Sequence, residues 1–259
     1  LAAADDAALV LARDPAFAPA IRHALQSSDA VTAVSQFLAA ETHDALNLDV
    51  PTTVIHNFFT PQQPRRTREA VRDELKIAPD QPLLMHLSNL RPLKRIDLLL
   101  HTLALLPREI PFKLLVLAGD SFAPFAGEVE RLGLQGRVIA LEGVTDIEDY
   151  LHAADLGLFT SDTESFCLSI LELMCFGVPS VATRVGGIPE VLLDNVTGLL
   201  APAGDAAALA SQVTALLRGP PRRSALGVAA RARAERFSAP VIVPQYEALY
   251  AQTLATRAR

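Results

Sequence analysis

The sequence predicts an α/β fold, a doubly wound parallel sheet, on three observations. Short apolar runs alternate with amphipathic stretches along the 259 residues. Half of the residues are hydrophobic but only 5% are aromatic and none is Trp, so the core must rest on Leu, Val, Ile and Ala. That is the composition of strands covered by helices on both faces. Third, Gly or Pro closes several of the runs, at Pro107, at Gly119 and at Gly177-Val178-Pro179.

Taken in order, residues 31–34 and 53–55 are short apolar runs that predict strands, with a helix over 36–46 between them. A helix over 66–75 precedes a strand over 83–87, and apolar residues at helical spacing predict a helix over 95–106. Strands follow over 113–118 and 138–141, a short helix over 147–153, and a strand over 156–160. A helix over 168–176 leads to a strand over 180–183, then helices over 205–217, 222–237 and 243–254. About five strand–helix units thus lie between Pro61 and Phe237, enough for one complete domain with right-handed crossovers. The opening residues 1–57 do not complete a domain. They are expected to be the end of a preceding one, joined through Asn57-Phe58-Phe59-Thr60-Pro61, with residues 238–259 forming a helix that returns toward them.

Composition narrows the function. The formal charge is −6 and no basic cluster offers a nucleic-acid surface. No apolar run reaches the roughly 18 residues of a membrane span; residues 98–106 are interrupted by His101 and Thr102. No export signal is visible, and a cytoplasmic location is expected. Cys167 and Cys175 lie eight residues apart, and on one helix they would be about 12 Å apart, too far to bridge. They read as free thiols of a reducing compartment.

In open α/β sheets ligands meet the loops at the carboxyl ends of the strands, here residues 88–95, 119–123, 142–146, 161–168 and 184–190. Glu164-Ser165-Phe166-Cys167-Leu168-Ser169-Ile170-Leu171-Glu172 follows a strand and enters a helix. Amides of Cys167, Leu168 and Ser169 at that helix start would favour an anion such as a diphosphate. Glu172 would present a carboxylate suited to a vicinal diol, and Glu164 could accept from a sugar hydroxyl. The bland reading is two acids flanking a helix start. Ser88-Asn89-Leu90-Arg91-Pro92-Leu93-Lys94-Arg95 places three cations in one loop. Lys94 and Arg95 are expected to open the next helix, where positive charge opposes the macrodipole, so an anionic ligand is expected to balance them; a solvated basic turn is the alternative. In Arg184-Val185-Gly186-Gly187-Ile188-Pro189-Glu190 the glycine pair would let a ligand approach the backbone, or would only make a tight turn.

Together with Val31-Thr32-Ala33-Val34-Ser35, Val54-Ile55-His56-Asn57 and Gln245-Tyr246-Glu247-Ala248-Leu249-Tyr250, these segments resemble the retaining GT-B glycosyltransferases of family 4, from about Asp14 to Leu254. The resemblance implies a Rossmann-like, nucleotide-sugar-binding domain over 58–237 and an acceptor-side remnant over 1–57. It implies that Lys94 meets the donor diphosphate, Glu172 the ribose and Glu164 the donor sugar. The backbone of Phe166, Cys167, Leu168 and Ser169 would meet sugar and phosphates, and Val144 would lie near uracil. The family pattern has Gly-Arg where this chain has Ser88-Asn89, so Asn89 joins the donor contacts and Arg91 is expected to supply the second cation beside Lys94 and Glu164 in catalysis. It also has Gly where this chain has Cys167, which would restrict donor size or point away.

Residues 29–35 and 88–95 are most similar to the branch that transfers N-acetylglucosamine from UDP-N-acetylglucosamine to L-malate, at the start of bacillithiol synthesis. A UDP-sugar donor and a small dicarboxylate acceptor are therefore the expected partners, with no cofactor and no metal, since no Asp-x-Asp pair or His cluster offers ligands. Arg22 is the candidate acceptor contact, or else a surface arginine. Two alternatives stay open: another acceptor such as an inositol phosphate or a sugar, and a UDP-sugar-binding fragment without turnover; a homo-oligomer is a further partner class left open. A GT-B sugar-nucleotide epimerase is disfavoured by the glutamate pair. Residues 1–259 alone are expected to transfer poorly.

Overall fold

The computed structural model describes residues 15–47 and 49–257, so the first fourteen residues of the expected 1–57 remnant lie outside it. The first described segment holds α1 (Ala18–Ser27), β1 (Val31–Ala33), α2 (Gln36–Leu46) and β2 (Thr52–Val54). β1 and β2 pair in parallel, Val31 opposite Thr52 and Ala33 opposite Val54. Ser35 starts α2 because its hydroxyl accepts the Leu38 amide at 3.0 Å, satisfying one of the orphan donors of the first turn.

The rest of the chain forms the expected doubly wound parallel sheet. Its strands are β3 (Leu83–Ser88), β4 (Lys113–Ala118), β5 (Val138–Glu142), β6 (Leu156–Phe159), β7 (Ser180–Thr183) and β8 (Gly198–Ala201), in the order β5-β4-β3-β6-β7-β8, all parallel. Between and after them run α3 (Arg68–Glu74), α4 (Ile96–Ala104), α5 (Ala126–Arg131), α6 (Ile147–Ala153), α7 (Leu168–Cys175), α8 (Ile188–Val191), α9 (Ala206–Arg218), α10 (Pro220–Ala234) and α11 (Ala239–Arg257). The pleat sends alternate residues to opposite faces. Leu83, Met85, Leu115, Leu117 and Phe159 enter one core with α7. Leu84, Leu114, Val116 and Leu158 enter the other with α4 and α9. Burial on both faces is why these strands read as continuous apolar runs.

The chain reverses direction across the sheet between β3 and β6, the switch point beside which open α/β sheets place a ligand crevice at the strands' carboxyl ends. The opposite end of these strands is fastened by Asp155. Its carboxylate receives Arg68 at 2.5 Å, Arg72 at 3.1 Å and the Leu83 amide at 2.8 Å. Arg72 is itself buried, and donates further to the carbonyls of Ala78 and Gln81. A charge withdrawn from water needs such partners on every side. α11 runs back to the first segment, where Arg257 meets Asp29 at 2.6 Å.

Several local expectations are corrected. β8 is a sixth strand that its short Gly-Leu-Leu-Ala run did not announce, and α5 and α8 were also unforeseen. α4 begins at Ile96. Lys94 instead ends a 3-10 turn, Pro92–Lys94, and Arg95 turns the chain in the left-handed region at φ 51°. The helix expected over 222–237 starts earlier, at Pro220, where proline suits a first turn, and closes as a 3-10 turn, Glu235–Phe237. No helix of the described residues is long and apolar enough to cross a membrane.

Candidate functional site

At the crevice the loop after β3 and the loop after β6 are joined by direct hydrogen bonds. The Thr160 hydroxyl lies 3.0 Å from the carbonyls of both Lys94 and Arg95, and the Asp162 amide donates to the Leu93 carbonyl at 2.8 Å. This brings two sequence-predicted residues into contact: Lys94 Nζ lies 2.7 Å from Glu164 Oε1. Ser161 Oγ donates to the same oxygen at 2.7 Å. Only 15% of the lysine side chain and 9% of the glutamate side chain are exposed. Arg95 is held by Asp97 and Asp162, each at 2.8 Å. The chain's own carboxylates thus face the two cations whose position the sequence suggested an anionic ligand balances. Burial favours such pairing, since an unpaired charge would carry its full desolvation cost.

Beyond Glu164 the chain passes through Cys167 at φ 71°, ψ 71°, a left-handed conformation that glycine adopts without strain. The thiol is buried, and burial pushes its pKa well up, so it is a neutral packing group; Cys167 and Cys175 are both free. Phe166 is buried too, its ring 5.6 Å from His56 and 5.5 Å from Phe237, so only its backbone can face a ligand. The turn at Cys167 starts α7 with the amides of Leu168 and Ser169 directed ahead of the helix, and Leu168 is 40% exposed. One turn on, the half-buried Glu172 side chain meets no hydrogen-bonding or ion-pair partner among the described residues. Its pKa is raised to about 7, first by desolvation and then by the nearby Glu148 carboxylate.

The remaining predicted residues fall around this centre. Asn89 is exposed, its Cα close to Gly119; Arg91 is half-buried just before the Pro92–Lys94 turn; Val144 is half-buried and packs on the core that holds α7. Arg22 is exposed on α1 and has no hydrogen bond or ion pair to the loops after β3 or β6. The glycine pair also differs from expectation. A side chain on Gly186 would overlap the Glu164 carbonyl, and one on Gly187 the Ser165 carbonyl. The close approach these glycines permit is to the chain's own loop, and the Gly187 amide donates to the Glu164 carbonyl at 2.8 Å.

Three functional candidates were missed. Ser161 completes the Lys94–Glu164 contact. Glu190 reaches the first segment, accepting the amides of Gln36 and Phe37. His86 is fully buried, and desolvation pushes its pKa down to about 4, so it is neutral. Its Nδ1 donates to the Leu158 carbonyl at 2.9 Å, leaving Nε2 to accept the Ser88 hydroxyl at 2.9 Å. Ser88 in turn accepts the Leu90 amide at 3.2 Å, which fixes the left-handed Leu90 and the start of the cationic loop. A histidine inside the apolar run 83–87 was the available signal. Among the described residues no three His, Cys, Asp or Glu side chains gather as metal ligands.

Comparison with known proteins gives a consistent set of similarities. The family described as Glycosyl transferases group 1 matches residues 67–233. N-acetyl-alpha-D-glucosaminyl L-malate synthase of Bacillus anthracis is 35% identical over 248 residues, 95% of this chain and 65% of that protein. D-inositol 3-phosphate glycosyltransferase of Xylanimonas cellulosilytica is 37% identical over 197 residues, 73% of this chain and 47% of that protein. The chain thus spans less than two thirds of the length of these curated relatives. Among solved structures, Anabaena Alr3699/HepE in complex with UDP and glucose superposes with a TM-score of 0.80 at 26% identity, over 93% of this chain and 67% of that one.

Proposed function

The chain belongs to the Glycosyl transferases group 1 family, and from that premise we propose that it carries the donor half of a retaining glycosyltransferase moving N-acetylglucosamine from UDP-N-acetylglucosamine to L-malate. The observation that carries the reading is the cluster at the β3/β6 crevice: Lys94, Glu164 and Ser161 in contact, beside the helix start at Leu168 and the carboxylate of Glu172. In this reading the donor diphosphate lies between Lys94, Arg91 and the first amides of α7, which stabilise the charge that grows as it departs. Glu172 accepts the ribose hydroxyls, and Glu164 accepts from the sugar. The reading sets Lys94, Arg91 and the α7 amides against the diphosphate in place of a divalent ion, so chelator should not change UDP binding. Residues 1–57 then belong to the acceptor-side domain, residues 58–237 form the donor domain and residues 238–259 bridge them.

Support for the donor comes from the solved Anabaena structure, which holds UDP. Support for malate comes from the Bacillus anthracis relative, similar over nearly the whole chain. Similarity to inositol-phosphate transferases supports a second reading, the same transfer to an inositol phosphate. The intact protein should be offered UDP-N-acetylglucosamine with malate, inositol phosphate or simple sugars, and the products identified. Malate glycoside is the expected product. Glycosylation of another acceptor alone would overturn the acceptor and leave the donor reading standing; sugar epimerisation without any acceptor would overturn both.

Glu172 makes the donor reading pH-dependent. Its folded pKa, about 7, stands above its ordinary 4.5, so its contribution to stability is full below about pH 4.5 and is lost as pH rises through 7. Accepting two hydroxyls requires the carboxylate, so UDP binding should expel a proton at pH 6 and weaken by up to about tenfold per pH unit below 7. Calorimetry in buffers of different ionisation enthalpy reads the proton directly. Glu172→Gln should abolish that release; an unchanged release would place the titrating group elsewhere.

A further inference from the structure

Glu190 ties together parts of the chain that are 154 residues apart. Its Oε2 accepts the Gln36 amide and its Oε1 the Phe37 amide, both at 3.0 Å, and Oε2 also lies 3.1 Å from His56 Nε2. Those amides are the first two of α2, and Ser35 already serves the third. Of the first three amides of α2, one is therefore capped by its own segment and two by Glu190. A carboxylate suits the position, with two acceptor oxygens and a charge that the helix start favours.

The other side of Glu190 leads to the reacting centre. Gly187 donates to the Glu164 carbonyl, and Gly186 and Gly187 lie flush against residues 164–165. Arg233 clamps the segment from behind, donating to the carbonyls of Glu190 and Val191 at 2.6 Å while its guanidinium lies 5.5 Å over the Phe237 ring. Phe237 meets both His56 and Phe166 edge-on. Each step from α2 to Glu164 along this path is a direct contact.

We infer that Glu190 is a positioning residue for sugar transfer: it registers the acceptor-side segment against Glu164, so that acceptor and donor sugar meet. The inference rests on the transferase reading above and adds a residue to it. Glu190 touches neither Lys94 nor Glu172, so its loss should disturb the meeting of the substrates and leave UDP binding alone.

The test uses the intact protein with Glu190→Gln, which has one acceptor oxygen for two amides. UDP affinity by calorimetry should stay at the wild-type value. Transfer to acceptor should fall about tenfold or more, while slow hydrolysis of the donor by water persists, so the ratio of transfer to hydrolysis drops. Should that variant fail to fold, Gln36→Pro is the second probe. Proline is favoured at the first helical position, where it deletes one of the two amides that Glu190 accepts, and it should shift the same ratio in the same direction. Wild-type transfer by both variants, or equal losses of UDP affinity and transfer, would overturn the assignment. A wild-type protein that binds no UDP would instead defeat the donor reading on which it rests.

Discussion

Replacing Lys94 with alanine is expected to lower turnover by about 10²–10³-fold while changing the donor Michaelis constant far less. The charge sits where the diphosphate would depart, 15% exposed and 2.7 Å from Glu164, so little water screens it. An interaction that strengthens as negative charge develops acts on the transition state more than on the bound donor. The partner variant separates this role from simple attraction. Glu164→Gln should free Lys94 from its carboxylate, so UDP should bind more tightly while transfer falls with the loss of the proposed sugar contact. Both variants leave a buried charge uncompensated, a cost of about 3–5 kcal/mol in comparable pairs, and UDP should restore part of the stability of Glu164→Gln by binding its lone lysine. Steady-state kinetics and calorimetry decide. A Lys94→Ala enzyme with intact turnover and only a raised donor Michaelis constant would remove Lys94 from catalysis.

Gly186→Ala should be as damaging although residue 186 carries no chemistry. The backbone stands at φ +53°, and a methyl group would overlap the Glu164 carbonyl, which no side-chain rotation can relieve. Left-handed strain and overpacking together predict a stability loss of about 2–5 kcal/mol. The loop carrying Glu164 must move to admit the methyl, and a shift of about 1 Å at a reacting group costs around a hundredfold in turnover. Gly143→Ala is the control. Its φ is +64° with nothing within 4 Å of the added carbon, so it meets the backbone cost alone. Equal thermal shifts for the two variants would show that the contact with Glu164 has no consequence.

The parallel sheet was legible because strands buried on both faces spell continuous Leu and Val runs, as in Leu114 to Leu117. β8 was not, since Gly198-Leu199-Leu200-Ala201 is only four residues long and holds no β-branched side chain. The site was legible in residue types but not in pairings. Lys94 and Glu164 were each singled out, yet their contact spans 70 positions and nothing local announces it. The misplaced start of α4 had a local cause: Pro92 sets a 3-10 turn and Arg95 adopts a left-handed cap, which helical periodicity does not encode. Glu190 lay within a segment noted for its glycines, and its role exists only once α2 is beside it.

Asp155 holds two arginines and the first amide of β3 at the end of the sheet away from the crevice. This separates what keeps the protein folded from what its loops recognise. In the proposed reading, the donor-facing loop at Ser88-Asn89 is separated from the fastening at Asp155 by the length of β3, so a substitution in that loop should alter donor recognition without loosening the sheet.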